Sequence, residues 1–185
     1  MRARGPGQSA LLLLDITQRL AKEKIAYSVV GAMAAAVHGA IRATSDADAL
    51  LSISLHRLAT LATAFGRAGF DTELRHGDQD DPIPALLLVS DRYGNRVDLL
   101  AGLRGLDPEA FSRSITVPFQ GEVLRVIGRE DFIAMKCFAG GPQDLADARV
   151  ALKTRDEQVD LNLLRRITRR FGRAATDSLE ALLRS

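Results

Sequence analysis

The stretch Val29-Val30-Gly31-Ala32-Met33-Ala34-Ala35-Ala36-Val37-His38-Gly39-Ala40-Ile41-Arg42-Ala43-Thr44-Ser45-Asp46-Ala47-Asp48 decides how this chain is read. It begins inside an apolar run, residues 25–30, whose β-branched and aromatic side chains predict a strand. Gly31 breaks the run. Small residues then predict a short helix over 32–38, which Gly39 stops. Asp46-Ala47-Asp48 leads into a second predicted strand over 47–53. Side chains alternate in direction along a strand, so the two carboxylates point the same way. Two converging carboxylates offer oxygen ligands to a hard cation such as Mg²⁺. A solvated strand start would carry the same pair, so the triplet alone leaves both readings open.

Upstream of this stretch, Leu12, Ile16 and Leu20 recur at helical spacing. They predict an amphipathic helix over 9–24 with Ser9 as its N-cap. Downstream, Leu55, Leu58, Ala62 and Phe65 mark another helix that closes near Gly69. Strands are predicted over 70–75, 85–90 and 96–100, the last two joined by a turn at Asp91-Arg92-Tyr93-Gly94-Asn95. Residues 115–118 and 123–127 form a candidate hairpin through Gln120-Gly121, and 77–82 read as an acidic turn. From 130 to 184 the spacing is helical, broken at Gly140-Gly141-Pro142, near Thr154 and at Gly172. The expected fold is therefore α+β. A mixed-sheet core with flanking helices over 1–128 is followed by a helical part, 129–185, packed on it as one compact unit.

Composition narrows the function classes. The chain has 185 residues, 46% hydrophobic and 26% charged, enough for one domain-sized core. A net charge of +2 gives no overall polybasic character that would demand a nucleic acid. The single cysteine, Cys137, excludes an intramolecular disulfide. Its apolar helical neighbours Ile133, Met135 and Phe138 predict a buried, inert thiol. The apolar run at 10–14 is too short for a signal peptide or a membrane span, so a cytoplasmic protein without membrane contact is expected. Residues 1–8 are expected to fray.

A third acid stands in Arg96-Val97-Asp98-Leu99-Leu100. An ionised aspartate in so apolar a run is costly unless it is paired or metal-bound. Arg96 or Arg92 could pair with it. If this strand instead lies beside the Asp46–Asp48 strand, three carboxylates converge. Three carboxylates around one or two Mg²⁺ ions meet the needs of in-line phosphoryl or nucleotidyl transfer.

Together these pieces resemble the signature of the nucleotidyltransferase superfamily, which has a DNA polymerase β-like fold. The resemblance is to the branch with the AbiEii/AbiGii-type toxins and related small bacterial proteins. It runs from the Gly31-Ala32 helix entry through His38-Gly39 and Arg42-Ala43-Thr44-Ser45-Asp46-Ala47-Asp48. It continues through Asp80-Asp81-Pro82, Val97-Asp98-Leu99-Leu100, Asp131-Phe132-Ile133-Ala134-Met135-Lys136 and Asp144-Leu145-Ala146-Asp147, covering roughly residues 25–150.

The resemblance implies Mg²⁺-dependent transfer of a nucleoside monophosphate from an NTP to a hydroxyl acceptor: a protein side chain, an RNA end or a small antibiotic. A toxin role with a separate antitoxin partner is implied in the same way. Asp46, Asp48 and Asp98 would be the catalytic and metal-binding acids. Gly31 and Ala32 would hold the nucleotide phosphates at a helix N-terminus. Arg42, Thr44, Lys136, Asp144 and Asp147 would complete the nucleotide site. The usual pair at the helix entry is Gly-Gly or Gly-Ser. Ala32 lacks the serine hydroxyl and takes positive φ less freely than glycine.

Each of these residues also has a plain structural reading. Lys136 could be a snorkelling lysine, and Asp144 and Asp147 could simply complement a helix dipole. His38 reads better as a packed or helix-ending histidine than as a catalyst. Arg165, Arg166, Arg169, Arg170 and Arg173 could meet an RNA backbone or an acidic partner. They read equally as a solvated face answered by Asp156, Glu157 and Asp160. The alternative to an enzyme is a non-catalytic nucleotide- or partner-binding protein that keeps the fold.

Overall fold

The computed structural model describes residues 1–78, 80–154 and 158–184. A seven-stranded mixed sheet runs in the order β3-β4-β5-β2-β1-β7-β6. Its strands are β1 (Tyr27–Val30), β2 (Asp46–Leu51), β3 (Asp71–His76), β4 (Ala85–Ser90), β5 (Arg96–Ala101), β6 (Ile115–Phe119) and β7 (Glu122–Val126). Three helices are threaded among the early strands: α1 (Ser9–Lys22), α2 (Gly31–Val37) and α3 (Leu55–Arg67). Four helices end the chain: α4 (Arg129–Ala139), α5 (Pro142–Lys153), α6 (Leu161–Arg170) and α7 (Arg173–Arg184). This is the expected α+β class, a mixed sheet with flanking helices and a helical C-terminal part.

The pairing that matters for function is β2 with β5. The two strands are parallel, with Asp46 opposite Arg96 and Asp48 opposite Asp98. In-register neighbours share a sheet face, so all four of these side chains project from one side. The same two strands send Ala47, Ala49, Val97 and Leu99 to the other side, where each is at most 1% exposed. On its other edge β2 runs antiparallel to β1, which places Val30 beside Asp48. Gly31, next in the chain, therefore meets Asp48 at the end of the strand.

Local chemistry explains several boundaries. Asp91 closes the β4–β5 turn by accepting from the N–H groups of Tyr93 and Asn95. Gln120 and Gly121 both take positive φ, which suits a tight two-residue hairpin turn. Gly140 ends α4 in the left-handed conformation, and Pro142 begins α5 in the first helical turn. Asp160 caps α6 by accepting from the N–H groups of Asn162 and Leu163.

Two expectations are overturned. Ser9 does not cap α1. Gln8 holds that position, and the Ser9 hydroxyl donates to the Ser45 carbonyl while accepting from the Arg96 N–H. It thus ties the heads of β2 and β5 together. Nor does the N-terminal segment fray. Ala3 is 4% exposed, the Arg2 N–H donates to Asp15, and Asn95 Nδ2 donates to the Gly5 carbonyl. These long-range partners lie more than ten residues away, outside any local pattern.

One connected apolar cluster joins sheet residues such as Leu50, Leu87 and Leu99 to Phe132, Ile133, Cys137, Leu164 and Leu179 of the C-terminal helices. Cys137 is buried as expected, and burial pushes its thiol up to about 11. No helix among the described residues is long and apolar enough to cross a membrane.

Candidate active site

Gly31 makes room for the site. Its φ is +62°, the left-handed region that favours glycine. A Cβ there would overlap the Asp48 carboxylate, with Cγ only 2.8 Å away. The strained conformation falls on Gly31 alone. Ala32, the second residue of α2, has no positive φ and is buried, so alanine costs the backbone nothing at that position.

Asp48 projects into a cleft of about 240 Å³ lined by Val30, Gly31, Asp48, Leu100, Phe132, Met135, Lys136, Ala139 and Asp144. Among the described residues its side chain makes no hydrogen bond and no ion pair. Burial, then the charges of Asp98 and Asp46, push its carboxyl up to about 6. Arg96 and Lys136 act against that rise.

Asp98 and Asp46 are held differently. Arg96 grips Asp98 with Nε 2.7 Å from Oδ1 and Nη2 2.9 Å from Oδ2. The same Nη2 lies 3.1 Å from Asp46 Oδ2. The Ser45 hydroxyl donates to Asp46 Oδ1. The structure thus gathers the three acids on one face, with Arg96 seated between two of them. Among the described residues no three His, Cys, Asp or Glu side chains already stand as a metal-ligand cluster.

Across the cleft, Lys136 is a cleft residue rather than a snorkelling one. It is 9% exposed, with Nζ 2.7 Å from Asp144 Oδ1 and 3.1 Å from Asp147 Oδ2. Nζ also lies 5.6 Å from the Phe132 ring centre, a cation–π arrangement. Asp147 is 2% exposed, and Gln143 and Lys136 keep its carboxyl below the usual range against the opposing effect of burial. Arg42 reaches Asp147 Oδ2 at 3.5 Å, so it belongs to this ion network behind the cleft. The Thr44 hydroxyl donates to the Asp46 carbonyl and braces the start of β2.

Arg96 belongs to the site although the motif does not mark it. The signal was present: two residues before Asp98 on one strand, it must share that face. Asp131, which stands in the motif resemblance, is a buried support. Arg113 binds it in a fork, with both N···O distances 2.7 Å. His38 is a packed histidine, as read. Its Nε2–H donates to the Ile127 carbonyl at 2.8 Å, and burial holds its pKa below the ordinary value.

The cationic run is divided between α6, which carries Arg165, Arg166, Arg169 and Arg170, and α7, which begins at Arg173, and three of the five are engaged within the chain. Arg165 forks onto Glu180, Arg173 meets Asp177, and Arg170 donates to the Gly105 and Leu106 carbonyls. Asp160 is spent on the α6 cap. Asp156 and Glu157 lie outside the described residues.

No protein-family model matches the sequence, and no curated protein matches it either. Solved structures do match in fold. An antigenic nucleotidyltransferase-like protein from Paracoccidioides brasiliensis aligns with TM-score 0.57 and 13% identity over 98% of this chain and 90% of that one. ANT(2")-Ia in complex with adenylyl-2"-tobramycin aligns with TM-score 0.58 and 12% identity, over 87% of this chain and 95% of that one. The solution structure of the antibiotic-resistance factor ANT(2")-Ia aligns with TM-score 0.57 and 13% identity over 94% of each chain. The fold is therefore that of the nucleotidyltransferases.

Proposed function

We propose that this protein is a nucleotidyltransferase that moves a nucleoside monophosphate from an NTP to a hydroxyl acceptor at the Asp46–Asp48–Asp98 cluster. One observation carries the reading. The parallel β2–β5 register sets Asp48 beside Asp98 on the face of Asp46, and Gly31 lacks the Cβ that would close that place.

The donor set fits a divalent cation: hard carboxylate oxygens from three residues, one of them unpartnered and aimed into a cleft. Asp46, Asp48 and Asp98 would hold Mg²⁺, which when bound neutralises charge on the triphosphate. The chain's own residues do the rest. Lys136 is set to meet phosphate oxygens once it leaves Asp144. Val30, Leu100, Phe132 and Met135 give the cleft an apolar wall suited to a nucleobase or sugar face. The acceptor hydroxyl oxygen bonds to the α-phosphorus as the bond to the β-phosphate oxygen breaks. Pyrophosphate leaves, and Asp98 takes the hydroxyl proton.

ANT(2")-Ia is similar in fold and was solved with an adenylylated tobramycin, which supports a small hydroxyl-bearing acceptor. The motif resemblance to AbiEii/AbiGii-type proteins supports instead a toxin acting on a macromolecule, with an antitoxin or RNA as partner. Incubating the protein with α-phosphate-labelled NTPs, Mg²⁺ and either aminoglycosides or a cell lysate separates the two. Label should move in the wild type and fail to move in Asp46→Asn and Asp98→Asn. Undiminished transfer by both variants contradicts the proposed chemistry.

A non-catalytic nucleotide- or partner-binding protein is the second reading. Arg96 favours it, because its guanidinium already neutralises the place where a cation would sit. On that reading NTP binds without transfer to any acceptor and without dependence on Asp98.

A further inference from the structure

We propose that Arg96 is a resident counter-cation of the carboxylate cluster and competes with a divalent cation for Asp46 and Asp98. This rests on the reading of the cluster as a cation site.

The cluster is divided. Both Asp98 oxygens and Asp46 Oδ2 accept from Arg96, and Asp46 Oδ1 accepts from Ser45. Every oxygen of these two acids therefore already has a donor. Asp48 has none among the described residues. Two acids are neutralised from within, and the third is left open to the cleft.

Arg96 is placed to hold and to let go. Its backbone N–H is fixed on Ser9 Oγ at 3.0 Å, so the strand stays where it is. Its side chain is 42% exposed, against 12% for Asp98. A guanidinium with that much solvent access can turn outward without leaving a buried charge behind. No rearrangement of β5 is needed.

The competition follows from charge. A divalent cation coordinated by Asp46 or Asp98 takes an oxygen that now faces Arg96. If the guanidinium moves, its two forked hydrogen bonds to Asp98 are lost. If it stays, it stands within a few ångströms of the dication and repels it. Both routes weaken cation binding relative to a site without Arg96. In the cation-free protein the same residue keeps three adjacent acids from repelling one another, which lets the cluster exist before its ligand arrives.

The test is Mn²⁺ binding, read by electron paramagnetic resonance of free Mn²⁺, to the full chain as wild type, Arg96→Gln and Asp98→Asn. Arg96→Gln should bind Mn²⁺ about tenfold or more tightly than wild type. Its cation-free melting temperature should lie below wild type and recover when Mn²⁺ is added. Asp98→Asn should lose binding. An Arg96→Gln affinity equal to or below wild type, with wild-type binding still dependent on Asp98, overturns the competition and leaves the cation site standing. Absence of Mn²⁺ binding in all three proteins removes the cation site and this inference with it. Should Arg96→Gln fail to fold, Arg96→Lys keeps the charge without the planar fork. It should bind more tightly than wild type, and a weaker affinity overturns the proposal.

Discussion

Replacing Asp48 by asparagine should stabilise the protein at neutral and alkaline pH, at the expense of its function. The Asp48 carboxyl is raised from 3.8 to about 6, chiefly by burial and then by Asp98 and Asp46. A carboxyl raised on folding binds its proton more tightly in the native state. The native state is therefore favoured where Asp48 is protonated in both states, below about pH 4. It is penalised progressively as pH rises through the folded value near 6. The shift is roughly two units, and at about 1.4 kcal/mol per unit the full penalty above pH 7 is about 3 kcal/mol. Asparagine removes the charge but brings an amide that needs its own partners, so the expected net gain is about 2 kcal/mol. In a chain of this length that corresponds to roughly 4–8 °C in melting temperature. Urea unfolding of both proteins from pH 4 to pH 8 reads the effect directly. The gain should be present at pH 8, shrink through pH 6 and vanish near pH 4. A variant that is no more stable at pH 8, or a difference independent of pH, refutes the claim that Asp48 is an unpartnered, half-buried charge.

Three further outcomes follow from the same geometry. Gly31→Ala forces a side chain onto a φ of +62° and against Asp48, and should cost about 2–4 kcal/mol in denaturant unfolding. Part of that cost should return in the Gly31→Ala, Asp48→Ala double variant; no recovery would mean the clash is not with Asp48. Arg113→Ala strands the 3%-exposed Asp131 without its fork, and should cost about 3–5 kcal/mol at pH 7 by the same measurement. Cys137 should not react with an aromatic disulfide reagent in the native protein at pH 8 and should react at once in denaturant, since burial both covers the thiol and raises it to about 11. Rapid native labelling would contradict the packing of α4.

What could be read from the sequence was what short-range physics encodes. Asp46 and Asp48 sharing a face follows from strand alternation alone. The β4–β5 hairpin follows from Asp91 and Gly94, and the α4–α5 break follows from Gly140 and Pro142. The convergence of Asp98 on that face does not follow in this way. It depends on β2 and β5 pairing in parallel across a separation of about fifty residues, a register that no local pattern specifies. The resemblance to a known motif order supplied that step. The same limit hides the work of Ser9, which local sequence places at a helix cap but whose hydroxyl joins Ser45 to Arg96. Local sequence fits Lys136 equally to a snorkelling and a cleft position, and only tertiary packing sets Asp144 and Asp147 around its ammonium. Arg96 was visible as a neighbour of Asp98, but its reach across to Asp46 exists only once the two strands are side by side.

The proposed chemistry requires that Asp46, Asp48 and Asp98 together receive a divalent cation with a nucleotide. A crystal of the wild-type protein soaked with Mn²⁺ and a non-hydrolysable NTP measures this through anomalous scattering. A manganese peak is expected within about 2.6 Å of carboxylate oxygens from Asp48 and Asp98, with the phosphates toward Gly31 and Lys136. A nucleotide bound with its metal away from these acids, or with Arg96 still forked on Asp98 and no metal beside Asp48, would contradict it.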